Sequence, residues 1–247
     1  MSGHVRVRVR FTKLGKIRWT SHRDVARMWE RAFRRVRLPL AYSEGFSPRP
    51  KVSFGLALPT GHESLAEYLD VELSTDSLPT GDLLSELSGA LPSGVDAVAL
   101  APLAPGSPSL QEAVTSCTWE WTVLAAVGAK CDPQEIGQRA AALLASPSMV
   151  LTRTRKGREQ TEDLRDTVLS LDLIGPLPCA GVLLRAELAS QPRSLRPGEL
   201  TLALGPDLEE RDTRRLHQWT SRDGARREPL QGLAAATDAP GALERAS

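Results

Sequence analysis

Four arginines lie at helical spacing near the start of the chain, and arginine is the side chain best suited to binding phosphate. Arg23, Arg27, Arg31 and Arg34 recur every three or four residues, so a helix places them on one side. A guanidinium group binds phosphate oxygens through two parallel hydrogen bonds, and clustered basic side chains supply most sequence-independent affinity for nucleic acids. The pattern indicates a polyanion-binding surface, with a solvated helix face as the alternative.

The segment 42–51 combines an aromatic ring, two cations and a stiff backbone. Phe46, Arg49 and Lys51 are interspersed with two prolines. A nucleic-acid base can stack on such a ring while neighbouring cations hold its phosphate. The segment therefore predicts a second nucleic-acid contact. The alternative is a structural crossover, stiffened by proline, in which Phe46 fills the core.

A serine, a histidine and an aspartate fall within residues 21–24. Neighbouring helix positions do not face one another, and Ser21 with Asp24 has the spacing of a helix N-cap. We therefore expect no catalytic triad there. His22, in the first helical turn, remains a candidate for phosphate contact or for acid–base chemistry.

Two further charged stretches are candidate polyanion contacts. Arg6, Arg8 and Arg10 alternate with apolar residues at the period of a strand. The stretch 152–166 places several basic residues before acidic ones and is typical of a charged hairpin tip, with a polyanion contact as the alternative. The three cysteines and four histidines show no zinc-ligand spacing, so we expect neither a metal nor a cofactor.

Charge is distributed unevenly along a chain of ordinary globular composition. The 247 residues carry a net charge of +1, but residues 1–51 hold 14 Lys and Arg against 3 Asp and Glu, and residues 52–151 hold 2 against 12. Such asymmetry indicates an anionic partner for the N-terminal part. The chain has no apolar run that could span a bilayer and no apolar signal-peptide core at its start, so we expect a cytoplasmic protein.

The elements that must position these residues follow the order β-α-β-β-α-β. The patterns predict strands at 5–11, 38–43, 52–59 and 95–100, with 67–74 as the continuation or the partner of 52–59. They also predict a helix from Ser21 to Pro39 and another at 83–91. On the first helix, Trp29 and Phe33 fall on the apolar side, and Arg27 and Arg31 on the polar side.

A proline- and glycine-rich stretch at 102–108 separates this part from a second series of the same order with one inserted hairpin. The sequence therefore predicts an α+β protein of tandem ferredoxin-like units with antiparallel sheets. The predicted domains are 1–104 and 113–227. We expect residues 228–247 to be a disordered tail.

Three stretches resemble the radical-SAM-linked protein family, a bacterial domain of unknown function. They are SHRD at 21–24, ERAFRRVRLPLAYSEGFSPRPKVSF at 30–54 and PTGHESLAEYLDVEL at 59–73. The family's members occur alone or joined to a radical SAM enzyme, and the stand-alone form is often encoded beside a ribonuclease E/G-type gene. The chain lacks the CxxxCxxC motif and so is not expected to hold the iron–sulfur cluster of a radical SAM enzyme itself. It departs from the family at Trp19 and Arg23, where apolar residues are common.

These observations favour an RNA-binding or RNA-processing accessory module that uses the helix arginines together with Phe46, Arg49 and Lys51. The rival is a protein-docking partner of a radical SAM enzyme or a ribonuclease, without direct RNA contact. A third class, an enzyme acting on small molecules around His22 and the segment 42–51, is the least favoured, so we lean towards a binding module.

Overall fold

The computed structural model describes residues 4–79, 81–125, 131–155, 157–178, 181–222, 224–233 and 237–238. In chain order the strands are β1 Val5–Lys13, β2 Val52–Phe54, β3 Glu63–Leu73, β4 Val95–Pro102, β5 Val114–Ala125, β6 Val150–Arg155, β7 Arg158–Asp163, β8 Val168–Pro176, β9 Val182–Ala189, β10 Leu208–Arg222, β11 Ala225–Arg227 and β12 Thr237–Asp238. The α-helices are α1 His22–Arg35, α2 Leu83–Ala90, α3 Leu110–Ala113, α4 Pro133–Ala145 and α5 Pro197–Leu204. The result is a mixed α/β protein with mostly antiparallel sheet.

The chain divides into two compact units, one of residues 1–114 with 220–247 and one of residues 115–219. In the first unit the strands lie in the order β4-β1-β3-β2, and β1 is antiparallel to both neighbours. The centre of β1 is held on both sides, since Val9 pairs with Leu69 of β3 and Leu100 of β4.

The core of the first unit lies between this sheet and the helices α1 and α2. Trp29 and Phe33 are fully buried, with ring centroids 5.3 Å apart, and Phe11 of β1 meets Trp29 edge-on at 5.1 Å. Arg27 and Arg31 are exposed. The two-sided character predicted for α1 is therefore confirmed, because its apolar residues recur at the helical period.

The start of α1 follows the prediction and its end does not. Ser21 caps the helix, its hydroxyl oxygen accepting a hydrogen bond from the Asp24 backbone N–H at 3.2 Å. The helix ends at Arg35 rather than continuing to Pro39, because Arg37 adopts a left-handed backbone with φ of 55°. The Leu38 N–H then donates back to the Phe33 carbonyl at 3.0 Å, which closes the last turn.

The predicted strand at 38–43 is reduced to isolated pairings, Leu40 with Leu73 and Tyr42 with Pro50. The reason lies at Glu72 of β3, whose backbone is shared between two segments. The Glu72 carbonyl accepts from the Ala41 N–H at 2.8 Å, while its N–H donates to the Lys51 carbonyl at 3.0 Å. The segment at 38–43 therefore makes only isolated pairings, while residues 52–54 form a ladder with β3 that ends at Phe54 rather than continuing to residue 59.

The second unit repeats the element order, with the hairpin β6–β7 between α4 and β8. Its strands lie in the order β10-β5-β9-β8, with β9 antiparallel to β5 and β8. Its helix α4 is capped by Asp132, whose carboxylate accepts a hydrogen bond from the Gln134 N–H at 2.9 Å. Trp121 is fully buried and its indole N–H donates to the Thr201 hydroxyl at 2.9 Å.

Part of the stretch predicted as a disordered tail packs against the first unit. Leu230 is buried against Tyr68 and Leu110, and β12 pairs antiparallel with β4. The physical reason is an apolar patch on the sheet face opposite α1, which burial removes from water. Residues 234–236 and 239–247 of the predicted tail lie outside the described residues, as does Cys179. Cys117 is buried and Cys131 partly exposed.

Within the described ranges, the longest α-helix is α1, with 14 residues. None of the helices there is both long enough and apolar enough to cross a membrane.

Candidate nucleic-acid interface

The outer face of α1 presents its arginines to solvent. Arg23, Arg27, Arg31 and Arg34 are all exposed. Arg27 reaches the Asp24 carboxylate at 3.5 Å, an exposed pair that contributes little. Within the ranges that the structure describes, the other three have no carboxylate partner. Their positive charge is therefore available to an anion from solution.

The arginines of β1 are used inside the first unit instead. Arg8 donates two hydrogen bonds to the Asp70 carboxylate, at 2.7 and 2.9 Å, and both side chains are buried. Arg10 pairs with Glu228 at 2.8 Å, and Arg6 donates to the Ser107 carbonyl. The strand arginines therefore hold the sheet to the segments that cover it, and they add little to a polyanion surface.

The segment 42–51 forms a closed loop with Phe46 at its tip. The Ser43 N–H donates to the Arg49 carbonyl at 2.9 Å, and the Arg49 N–H donates to the Ser43 hydroxyl at 3.1 Å. The Phe46 ring is fully exposed, with a relative exposure of 112%. The alternative in which Phe46 fills the core is therefore wrong. Arg49 is exposed, while Lys51 pairs with Glu72 at 2.9 Å.

Two further aromatic rings of the first unit are accessible. Tyr42, at the base of the loop, is 50% exposed, and Trp19, just before α1, is 65% exposed. The Arg18 guanidinium lies 5.5 Å from the centroid of the Trp19 ring, within the range of a cation–π contact. Trp19 and Tyr42 were not among the predicted site residues, although the sequence shows that these aromatic residues flank the basic helix.

His22 borders a cleft at the first turn of α1. Its ring lies 5.1 Å from that of Phe54, edge to face. The cleft is lined by residues of β1, α1, β3 and the β2 region: Phe11, Lys13, His22, Val25, Phe54, Gly55, Leu56, Leu58, Glu67 and Tyr68. His22 is thus placed at a cleft with three other titratable side chains, Lys13, Glu67 and Tyr68.

Lys13 and Glu67 are charged residues in a buried position, and sequence reasoning missed both. Lys13 is 3% exposed and Glu67 8%. The Lys13 ammonium donates to the carbonyls of Arg18 and Thr20, at 3.2 and 3.0 Å. Burial lowers the pKa of Lys13, and the charge of Glu67 opposes that shift. The sequence did carry a signal for their burial, because each residue falls on the side of its strand whose alternate residues face the core.

The basic residues of the hairpin β6–β7 differ in exposure. Arg153 is buried and bonded to Glu162 and Glu199, so it does not offer its charge to a polyanion. Arg158 is exposed, and Lys156 lies outside the described residues. Over the parts of the chain that the structure covers, no three His, Cys, Asp or Glu side chains are grouped as metal ligands.

Comparison with known proteins places this chain in context. Residues 6–197, more than half of the chain, match the model of a family described as "Uncharacterized protein conserved in bacteria (DUF2344)". No curated protein matches the chain.

Among solved structures, the chain is similar to one titled "Crystal Structure of a Cbf5-Nop10-Gar1 Complex", with a TM-score of 0.52, 11% identity, and coverage of 86% of this chain and 48% of that one. An archaeal box H/ACA sRNP Nop10-Cbf5 complex gives a TM-score of 0.43 at 12% identity, covering 88% and 48%. The chain thus spans about half the length of the structures it matches, and the likeness at 0.52 concerns the fold.

Proposed function

We propose that this chain, which belongs to the DUF2344 family of uncharacterized bacterial proteins, is an RNA-binding accessory module that acts through its first unit. The observation that carries the proposal is the Phe46 ring, fully exposed at the tip of a closed loop. A phenyl ring left entirely in water contributes nothing to the core, whereas a base stacked on it contributes about 1–3 kcal/mol.

The charged surroundings of the loop fit the same partner. Arg49 on the loop and three arginines of α1 have no carboxylate partner in the described part of the chain, and single-stranded RNA offers phosphates beside unstacked bases. The helix is fixed by Trp29 and Phe33 in the core, so its arginines project from a rigid element. The proposed contacts are Arg23, Arg27, Arg31, Arg34, Phe46, Arg49 and Lys51, with His22 as a further phosphate contact.

We propose further that the two units form tandem ferredoxin-like folds. In each, four strands separated by helices follow the order β-α-β-β-α-β, and the first strand lies between the third and the fourth. This arrangement leaves one sheet face to the helices. It supports a scaffold role, in which α1 and the loop 42–51 carry the recognition surface.

The test is RNA binding measured by fluorescence anisotropy with a labelled single strand of about 12 nucleotides, a length within known site sizes. The affinity of the wild type should fall as salt rises, and each lost phosphate contact should flatten the plot of log affinity against log salt by about 0.7. The double variant Arg27→Glu/Arg31→Glu should bind more weakly and with a flatter slope. Phe46→Ala should weaken binding without changing stability.

A matched control separates local contact from overall charge. Arg226→Glu/Arg227→Glu makes the same change in net charge at two exposed positions of β11, and it should affect binding less. If the wild type shows no affinity above background at ~50 mM salt, the RNA proposal fails. Docking to a radical SAM enzyme or a ribonuclease would then be favoured, and a stable complex with such a protein in the absence of RNA would support it.

A further inference from the structure

Trp19, just before α1, is an exposed residue on a fixed backbone. The buried Lys13 ammonium donates to the carbonyls of Arg18 and Thr20, at 3.2 and 3.0 Å, and so holds the chain on both sides of Trp19. The Thr20 N–H and hydroxyl both donate to the Ile17 carbonyl, at 3.0 and 2.7 Å. A charge taken out of water needs such partners, and here the bonds of the lysine restrict the backbone that carries the indole ring.

The indole ring of Trp19 lies against the turn that precedes β3. The Gly61 N–H donates to the Arg18 carbonyl at 2.8 Å, and a Cβ atom at Gly61 would lie only 2.9 Å from Cζ3 of the indole. Gly61 also has a φ of 91°, a conformation that favours glycine. The Arg18 guanidinium lies 5.5 Å from the ring centroid. With these contacts Trp19 is still 65% exposed, so it offers a positioned aromatic surface to a ligand.

Trp19 and the loop 42–51 lie towards opposite ends of β3. Beside Trp19, the Arg18 guanidinium reaches the Glu63 carboxylate, at the start of the strand, at 3.7 Å. The base of the loop is bonded to the backbone of Glu72, near the end of the strand. These two glutamates are nine positions apart, which corresponds to about 30 Å of extended strand. The exposed arginines of α1 come after Trp19 and before the loop in the chain.

We propose that Trp19 stacks a second base of the bound RNA, so that one strand runs along α1 from Trp19 to Phe46. A ring held in place before binding loses little conformational freedom when a base stacks on it, and every base has a flat face suited to stacking. The arginines of α1 then bind phosphates between the two stacked bases. This inference rests on the RNA-binding function proposed above, and it adds a contact residue and the path of the strand.

The first experiment follows the intrinsic fluorescence of the wild-type protein as oligoadenylate of about 12 nucleotides is added. Of the five tryptophans, all of them in described parts of the chain, Trp19 is the most exposed, so a base stacked on it should quench part of the signal. Trp19→Phe should remove this quenching and keep most of the affinity, because a ring remains. A strand of the same length made of abasic residues, which has phosphates but no bases, should cause no quenching.

The second experiment measures affinity by competition. Trp19→Ala should weaken binding of the longer strand about tenfold, the effect of one lost stacking contact, and should leave the salt dependence unchanged because no phosphate contact is lost. An oligoadenylate of about 4 nucleotides is too short to reach both rings and can bind at Phe46 instead, so its affinity should fall by no more than about twofold. Leu202→Ala, which removes a 57% exposed apolar side chain from the second unit, is the matched control and should change neither affinity.

The two proposals fail in different ways. Quenching that persists in Trp19→Phe, or unchanged affinity of Trp19→Ala for the longer strand, would overturn the stacking site at Trp19 while leaving RNA binding intact. Failure of the wild type to bind either strand would overturn the proposed function itself, and this inference with it.

Discussion

Arginines on β1 and arginines on α1 belong to the same basic N-terminal segment, yet the structure uses them in opposite ways. Arg8 is buried and bonded to Asp70, and Arg10 is bonded to Glu228. Arg31 and Arg34 are exposed, with no carboxylate partner in the parts of the chain described. One group stabilises the unit and the other is available for binding.

The difference arises from what covers each face. On the sheet face that carries Arg8 and Arg10, the chain supplies a cover of residues 104–113 and 228–233, whose carbonyls and carboxylate meet the guanidinium groups. A charge taken out of water needs such partners. The outer face of α1 has no comparable cover in the described structure. A count of basic residues in the sequence therefore overestimates the positive charge available for binding, because some of these side chains are already paired with groups of the same chain.

The largest loss of stability in this comparison is expected from a substitution on the inner face of α1. Replacing Phe33, which is fully buried, with alanine should lower the free energy of unfolding by about 3–5 kcal/mol, because contacts are lost and a cavity remains. Urea denaturation measures the change. Arg34→Ala, one position along the same helix, is the control and should change the value by no more than about 0.5 kcal/mol. A loss near zero for Phe33→Ala would contradict the assigned core.

The buried pair of β1 should show a similar loss through a different cause. Asp70→Ala leaves the Arg8 guanidinium buried without its carboxylate, and the expected loss is about 3–5 kcal/mol. Asp70→Asn keeps an oxygen acceptor and should lose less. Denaturation of both variants tests the comparison directly, since equal stability of Asp70→Ala and the wild type would mean that Arg8 is as available as the helix arginines.

An intermediate loss of stability is expected for the ion pair between Arg10 and Glu228, which lies on the same sheet face and is only partly buried. Glu228→Ala removes the partner of Arg10, and both side chains are only partly buried, so the loss should be about 1–2 kcal/mol. Hydrogen exchange should become faster at residues 228–233, which this pair helps to hold against the sheet. Unchanged exchange there would show that Leu230 alone anchors the segment.

The smallest change in stability should come from the helix arginines. Arg31→Ala should alter the free energy of unfolding by no more than about 0.5 kcal/mol, yet it should flatten the salt dependence of RNA binding by about 0.7. Thermal unfolding and anisotropy on the same sample measure both effects. A large loss of stability with unchanged RNA binding would reverse the roles assigned to the two groups.

Local sequence signals determined α1 and its two faces. Ser21 and Asp24 mark its start, and Trp29 with Phe33 marks its buried side, because capping and helical periodicity depend on residues within a few positions of one another. The same holds for α4 from Asp132. The end of α1 was less predictable, since it depends on the left-handed backbone of Arg37.

Only the tertiary structure determines which charged side chains are paired inside the protein and which remain exposed to solvent. Arg8 and Asp70 are 62 positions apart, and Arg10 and Glu228 are 218 apart. Lys13 and Glu67 reach one cleft only because β1 and β3 are paired in register, with a shift between Phe11 and Lys13. The sequence by itself determined the periodic faces, whose partners are local. It could not determine these pairs, because strand register and the path of distant segments set them.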